Sequence, residues 1–398
     1  MITPMIRGNI CLNAHPVGCE AMVNAWVART TARSADIRSA ASAAGKPLPK
    51  AVLVLGCSTG YGLASRITAA FGCGAATIGV SYEKEPSDRK PGTPGWYDNR
   101  AFDKSAAAAG LHSFTIDSDA YADETRQRVI DAARARGLVF DQVVYSLASP
   151  VRVDPDTGVM HRAVLKPLGG PFTGRTFDVV TGEMSEVTIQ PATEEEVAAT
   201  VKVMGGEDWE RWIRTLSDAG VLAPGCQTFA YSYIGPEHTA RIYRGGAIGK
   251  AKEHLEATAL RLSAMLGAGG GDAWVAVNKA VVTRASAVIP VVALYVAALF
   301  KTMKAAGVHE DPLDQLIRLY RDRLFASGPV PVHSGHRIRM DDLEMGLAIQ
   351  EETTRRFFAA NRENLADMVD LAGFRHDFLE AHGFDIAGVD YDAEVTYR

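Results

Sequence analysis

The run Ala51-Val52-Leu53-Val54-Leu55, followed by Gly56-Cys57-Ser58-Thr59-Gly60-Tyr61-Gly62-Leu63 and then Ala64-Ser65-Arg66-Ile67-Thr68-Ala69-Ala70-Phe71, constrains this chain more than any other feature. It reads as strand, glycine turn and helix. Glycines at 56, 60 and 62 let the backbone turn tightly off the strand and approach a pyrophosphate, and the helix that follows offers free N–H groups at its positive end. The site favours a dinucleotide, with a tight ligand-free turn as the plainer alternative. A second β-rich run, Ala76-Thr77-Ile78-Gly79-Val80-Ser81-Tyr82-Glu83, places a carboxylate about twenty residues past the last glycine, where a ribose diol binds. Glu83 therefore argues for NADH over NADPH, because a carboxylate there repels a 2′-phosphate. Lys84 next to it softens that preference, and a solvated glutamate at a strand end is the alternative.

The 398 residues, 47% of them apolar, can bury a large core as one elaborated domain or two. A net charge of −5 without long single-sign runs gives no electrostatic case for nucleic acid or an anionic membrane. Five cysteines (Cys11, Cys19, Cys57, Cys73, Cys226) without Cys-x-x-Cys spacing fit reduced thiols. His15 and Cys19 lie four apart, but two ligands do not make a zinc site, so no metal is expected. The start, with Arg7 and no sustained apolar run, lacks a secretory signal, and a cytoplasmic protein is expected. The apolar tract from Ala285 to Phe300 is shorter than a membrane span and carries Ser286 and Pro290, so it reads as a buried helix.

The alternation continues beyond the first unit. After a Pro/Gly-rich loop over 85–95 come a helix from Tyr97 to Ala109, a strand from His112 to Asp117, a helix from Ala122 to Arg136 and a strand from Phe140 to Ala148. Such repeats imply an α/β fold, a Rossmann-type doubly wound parallel sheet with helices on both faces. Ligands collect at the strands' carboxyl ends, which singles out 117–120 and 146–149; Asp119 reads equally as a helix N-cap. The pattern then changes to a hairpin of Thr176–Val180 and Ser185–Ile189, a candidate lid beside the crevice. Helices follow over Glu194–Val203 and Asp208–Ala219. Later expected elements are a strand from Ala273 to Thr283, a helix from Pro290 to Lys304 that lines an acyl tunnel or serves as plain core, and helices over Pro312–Leu324 and Leu343–Phe358.

The strand Gln227–Gly235 ends in tyrosines and precedes Tyr243-Arg244-Gly245-Gly246-Ala247-Ile248-Gly249-Lys250-Ala251-Lys252. A lysine ammonium can anchor a nicotinamide ribose, and a phenol can hydrogen-bond a carbonyl that becomes an enolate after hydride addition. Nine positions on one straight helix would set Tyr243 and Lys252 on opposite faces, at about 100° per residue. The glycine pair therefore places Tyr243 in a loop, with a helix from about Ala247 presenting Lys252 to the cofactor, or Lys250 on another face. An interfacial tyrosine and a solvated helix lysine are the commoner fate of these residue types.

These residues, with Arg7-Gly8, His15-Pro16-Val17-Gly18-Cys19-Glu20 and Val144-Tyr145-Ser146-Leu147-Ala148-Ser149-Pro150, make the chain resemble the FabV-type trans-2-enoyl-thioester reductases nearly end to end. The eight residues between Tyr243 and Lys252 are the most specific mark, a longer interval than related short-chain reductases use. By this resemblance Tyr243 matches the proton donor, Tyr233 the substrate-contacting tyrosine and Lys252 the cofactor lysine, though the two tyrosines could exchange roles. The same matching implies dinucleotide contacts at Gly56, Cys57, Ser58, Thr59, Gly60 and Tyr61, at Tyr82 and Glu83, at Asp119 and Ala120, at Leu147 and Ala148, and at Val281, Val282 and Thr283. It implies NADH as cofactor, an enoyl-CoA or enoyl-acyl carrier protein as substrate, and a monomer.

The expected organisation is one elaborated Rossmann-like domain with an N-terminal helical segment (1–50), dinucleotide-binding units (51–150), a hairpin insertion (151–191), the Tyr/Lys segment with the rest of the sheet (192–305) and C-terminal helices (306–398). Two departures from the family are Cys57, which should fit the turn without blocking the pyrophosphate, and the Ala/Ser/Arg-rich stretch over Ala32–Lys50, expected on the surface. A carbonyl or 3-oxoacyl reductase and a non-catalytic dinucleotide sensor are the rival readings. The long Tyr-to-Lys interval counts against the first and the Tyr/Lys cluster against the second. Nothing in the residues demands flavin.

Overall fold

The computed structural model describes residues 2–286, 289 and 292–397. Seven strands form one sheet: β1 (Ala51–Leu55), β2 (Ala76–Ser81), β3 (Ser113–Asp117), β4 (Phe140–Tyr145), β5 (Leu222–Ser232), β6 (Asp272–Val277) and β7 (Arg337–Arg339). Their order in space is β7-β6-β5-β4-β1-β2-β3, and every neighbouring pair is parallel. The strands β1 and β6 are near-continuous apolar runs because both of their faces are covered. All five residues of β1 are buried.

Period-two alternation sends Val52 and Val54 to one face and Leu53 and Leu55 to the other. The first face packs against helices Pro16–Ala44, Gly60–Ile67, Pro94–Ala108 and Pro312–Arg318, and the second against Asp123–Ala135, Glu207–Asp218 and Ala247–Gly267. Trp209 and Trp212 fix the second layer, donating from Nε1 to Thr228 Oγ1 at 2.9 Å and to the Ala120 carbonyl at 3.0 Å. A third core surrounds the helix Ala293–Ala305, whose residues 293–300 are all buried. A helix apolar all round belongs inside. The sequence places its start at Pro290, which lies outside the described residues.

Several expectations shift. The hairpin pairs Phe172–Phe177 with Met184–Ile189, because Asp178 Oδ1 accepts from the Val180 and Thr181 N–H groups and starts the turn early. A smaller hairpin, Val151–Val153 with Met160–Arg162, and an N-terminal one, Ile6–Arg7 with Ile10–Cys11, carried too few residues to be read from sequence. The 32–50 stretch is largely the second half of the 29-residue helix Pro16–Ala44, with Ile37 and Ala41 buried. The last expected strand stops at Val277 rather than Thr283, since the N–H groups of Lys279 and Ala280 go to Gln315 Oε1 (2.9 Å) and Glu344 Oε2 (2.7 Å) instead of a neighbouring strand. The helix expected from Leu343 starts at Leu347.

Candidate active site

The strand order reverses between β1 and β4, which opens a crevice beyond the carboxyl ends of the sheet. Every residue singled out for cofactor or chemistry lies on those carboxyl ends or the segments that leave them, apart from Lys252 on the adjoining helix. Gly56 has φ +82°, and a side chain there would meet the Ser146 carbonyl oxygen at 2.4 Å. A Cβ on Gly62 would sit 1.8 Å from the Gly56 carbonyl oxygen, so the turn closes only with glycine at that position. The helix starts at Gly60 without a side-chain cap, leaving its first N–H groups to a ligand, and the Thr283 side chain lies over Gly60. This cradle fits a pyrophosphate. Cys57 is fully buried and turned toward Gly79, away from the cradle, with its Sγ bonded to Asn99 Oδ1 at 3.5 Å.

Glu83 follows β2, but its partners were not legible in the sequence. Ser58 Oγ donates to its Oε1 at 2.6 Å and Arg284 Nη1 pairs with the same oxygen at 3.2 Å. Arg284, not Lys84, tempers this carboxylate. Oε2 is left with one long contact from Arg284, at 3.5 Å, and keeps acceptor capacity for a ribose diol. Tyr82 is 80% exposed. Asp119 is no helix cap, since the helix begins at Asp123 after Ala122; its Oδ1 accepts from the Tyr121 N–H at 2.9 Å. Ala120 is buried, Leu147 half-buried and Ala148 exposed, while Val281 and Val282 are buried beside Thr283. Tyr61 donates to the Lys279 carbonyl at 2.9 Å and its ring lies 5.4 Å from that of Tyr231.

The catalytic candidates converge. Tyr233 is the first residue past β5, and Tyr243 sits in the turn before the helix Ala247–Gly267. Their rings meet edge to face with centroids 5.0 Å apart. That turn is tight because a Cβ on Gly249 would meet the Arg244 carbonyl oxygen at 2.1 Å, and the Ala247 N–H anchors it to the Lys166 carbonyl at 3.0 Å. Lys252 is half-buried, with Nζ 3.4 Å from the Tyr231 carbonyl oxygen, whereas Lys250 is exposed and pairs with Glu253. Burial pulls the Lys252 ammonium down to about 8, with Glu256 pulling it up. Burial likewise raises both phenols above their ordinary range, so both keep their protons at neutral pH.

The two hydroxyls differ in one respect. Tyr233 donates to Glu344 Oε1 at 3.1 Å, whereas the Tyr243 hydroxyl makes no hydrogen bond among the described residues. Glu344 is fully buried and lies 111 positions beyond Tyr233, an interval at which no sequence pattern reports contact. Ser232 Oγ and both amide atoms of Asn278, at the carboxyl ends of β5 and β6, are buried without hydrogen-bond partners among the described residues. Orphaned polar atoms there suit a polar ligand.

Residues 1–88 match the model for the NAD(P)H binding domain of trans-2-enoyl-CoA reductase, and residues 90–325 match its catalytic region. The chain belongs to the trans-2-enoyl-CoA reductase family. It is 56% identical to the trans-2-enoyl-CoA reductase [NADH] of Treponema denticola over 99% of this chain and 98% of that one. It is 50% identical to the enoyl-[acyl-carrier-protein] reductase [NADH] of Flavobacterium johnsoniae over 100% of this chain and 98% of that one. The crystal structure of the Treponema denticola enzyme in complex with NAD superposes with a TM-score of 0.95, covering 99% of this chain and 98% of that one. That of the Clostridium acetobutulicum trans-2-enoyl-CoA reductase in complex with NADH is 38% identical and gives 0.92, covering 100% and 98%.

A third match, over residues 332–395, is described as an enoyl reductase FAD binding domain. In this reductase the segment offers no second dinucleotide cradle. Its strand-to-helix turn after β7 is filled by the buried carboxylates Asp341 and Glu344 rather than by open backbone, and Phe374 and Phe378 are spent on the third core. These residues do not fit FAD.

Proposed function

We propose that this chain is an NADH-dependent reductase of the trans-2 double bond of enoyl thioesters, carried by coenzyme A or acyl carrier protein, in fatty acid synthesis. The observation that carries the reading is the Tyr243 hydroxyl, unpartnered among the described residues, beside Tyr233, with Lys252 on the adjoining helix. Reduced nicotinamide, when bound, supplies a hydride to the β-carbon. The glycine turn and the uncapped helix at Gly60 hold the pyrophosphate, Glu83 accepts from the adenosine ribose, and Asp119, Ala120, Leu147, Ala148 and 281–283 line the same crevice. Lys252 donates to the nicotinamide ribose. As the thioester oxygen gains charge, the Tyr243 phenol stabilises it and delivers a proton to the α-carbon, so that one hydride and one proton saturate the bond. A phenol has one proton, and Tyr233 already directs its own at Glu344. This favours Tyr243 as donor and Tyr233 as the wall that orients the thioester.

The hairpin Phe172–Ile189 serves as a lid in this reading. Arg175 ties it to the Ala360 carbonyl at 2.8 Å and the Phe357 carbonyl at 2.5 Å, and Phe177 packs on Phe374. No helix among the described residues is long and apolar enough to cross a membrane. We read the protein as a single-domain monomer that acts in the cytoplasm.

The test is to mix the purified protein with crotonyl-CoA and follow oxidation of NADH and, separately, NADPH. Loss of NADH with butyryl-CoA as product is expected. NADH binding without oxidation, on both crotonyl-CoA and a crotonyl carrier protein, would sink the enzyme reading. Glu83→Gln removes the repulsion of a 2′-phosphate and leaves Arg284 beside it, so kcat/KM with NADPH should rise about tenfold, a change of about 1.4 kcal/mol. Unchanged nucleotide selectivity would detach Glu83 from the ribose.

NADH binding should also depend on pH through Lys252. Its ammonium is lost above about pH 8 in the free protein, so the apparent dissociation constant should rise by up to about tenfold per pH unit above that point and be flat below it. Because the folded value lies below the unfolded one, burying Lys252 opposes folding at neutral pH, and stability recovers between about 8 and the ordinary lysine value. Lys279, also pulled down to about 8 by burial, titrates in the same range. Lys252→Met separates the two: fluorescence titration on either side of pH 8 should show weak, pH-independent binding.

A further inference from the structure

Glu344 is a carboxylate with no exposed surface, held in the turn between β7 and the helix Leu347–Ala359. Three donors converge on it. Tyr233 donates to Oε1 at 3.1 Å, Tyr295 donates to the same oxygen at 2.7 Å, and the Ala280 N–H donates to Oε2 at 2.7 Å. Gln350 closes the set, its Nε2 donating to Tyr295 Oη at 3.0 Å and to the Glu344 carbonyl at 2.8 Å. Lys279 is 2% exposed, with Nζ on the Ala280 carbonyl at 2.9 Å and 4.8 Å from the Phe300 ring centroid, and it adds a positive charge to the same layer.

A buried carboxylate is costly, and an apolar side chain would fill this space with no charge to desolvate. What the charge achieves is direction. Each phenol has one proton to donate, and a carboxylate with two donors on Oε1 and one on Oε2 fixes both. The contacts form a chain. Glu344 holds the Tyr233 hydroxyl, the Tyr233 ring holds the edge of Tyr243, and the other carboxylate oxygen holds Ala280, whose segment runs on to Val281–Thr283.

We propose that Glu344 is a positioning residue for the reduction, locking Tyr233 and the 280–283 segment into one unit against which Tyr243 is set. It touches neither the transferred hydride nor the delivered proton. The proposal rests on the enoyl-reductase reading and gives a residue of the C-terminal segment a function in the site.

Glu344→Gln keeps the shape but replaces one acceptor oxygen by a donor amide. The amide oxygen stays on the Ala280 N–H and holds the 280–283 segment, so with crotonyl-CoA kcat should fall about tenfold or more, as expected when a reacting group is misplaced, while the NADH dissociation constant stays within about twofold. In protein labelled at the tyrosine ζ-carbon, the resonances of Tyr233 and Tyr295, identified by their loss in Tyr233→Phe and Tyr295→Phe, should shift in Glu344→Gln, whereas that of the distant Tyr121 should not. A kcat within about twofold of the parent enzyme, or an unmoved Tyr233 signal, would overturn the proposal. If the parent enzyme does not reduce enoyl thioesters, the function reading fails and the tyrosine signals still decide the positioning. Should Glu344→Gln not fold, Tyr295→Phe leaves Tyr233 as the only hydroxyl on the carboxylate, and the same Tyr233 signal must move.

Discussion

Tyr243→Phe should lower kcat with crotonyl-CoA by about a hundredfold to ten-thousandfold, the range spanned by positioned general acids. The NADH dissociation constant should stay within about twofold. The substitution removes one oxygen and keeps the ring, so the edge contact with Tyr233 survives and the turn before the helix Ala247–Gly267 is undisturbed. No hydrogen bond among the described residues is lost with the hydroxyl, and the folded state should therefore be as stable as the parent. Loss confined to kcat marks an interaction made in the transition state only. Stopped-flow NADH oxidation with a parallel binding titration measures both quantities. Parent-like turnover would move the proton donor elsewhere, with Tyr233 the first place to look.

Gly62→Ala should impair the protein by a different route, through the cofactor and the fold. Its methyl group would lie 1.8 Å from the Gly56 carbonyl oxygen and 3.3 Å from the Cys57 Cα, both backbone atoms that no rotamer change can move aside. Relief requires the helix Gly60–Ile67 to back away from the turn, which misaligns the N–H groups meant for the pyrophosphate. Overpacking of this kind costs about 1–3 kcal/mol of stability, and the shifted cradle should weaken NADH by at least about tenfold. Thermal unfolding with and without NADH reads both, since bound nucleotide should stabilise the parent and barely stabilise the variant. Unchanged stabilisation by NADH would remove the glycine turn from the binding site.

Much of the sheet was legible because its central strands are buried on both faces, and a strand with two buried faces announces itself as an apolar run; β1 and β6 are examples. The glycine turn was legible because backbone geometry is written in residue type at that point. Pairings between distant segments were not. The Phe172–Ile189 hairpin slipped by several residues because Asp178 side-chain bonds, not alternation, set its turn. The strand after Asp272 looked longer than it is, since its apolar pattern persists past Val277 while its N–H groups turn to Gln315 and Glu344. β7 has three residues, too few to carry a period.

By itself the sequence determined the doubly wound sheet, the glycine turn at Gly56–Gly62, the carboxylate after β2 and the break at Gly245-Gly246 that puts Tyr243 off the helix bearing Lys252. All of these are local, decided by residues within one or two turns of each other. Only the tertiary structure decided that Arg284 and Ser58 occupy Glu83, that Cys57 turns into the core, that the Tyr243 hydroxyl has no partner among the described residues, and that Glu344 accepts the hydrogen bond of Tyr233. Those outcomes depend on which side chains meet across the crevice from positions up to about two hundred residues apart, as Glu83 and Arg284 are. A buried charge or hydroxyl takes whichever partner the packed segments bring within reach, and nothing in its immediate neighbours along the chain records that choice.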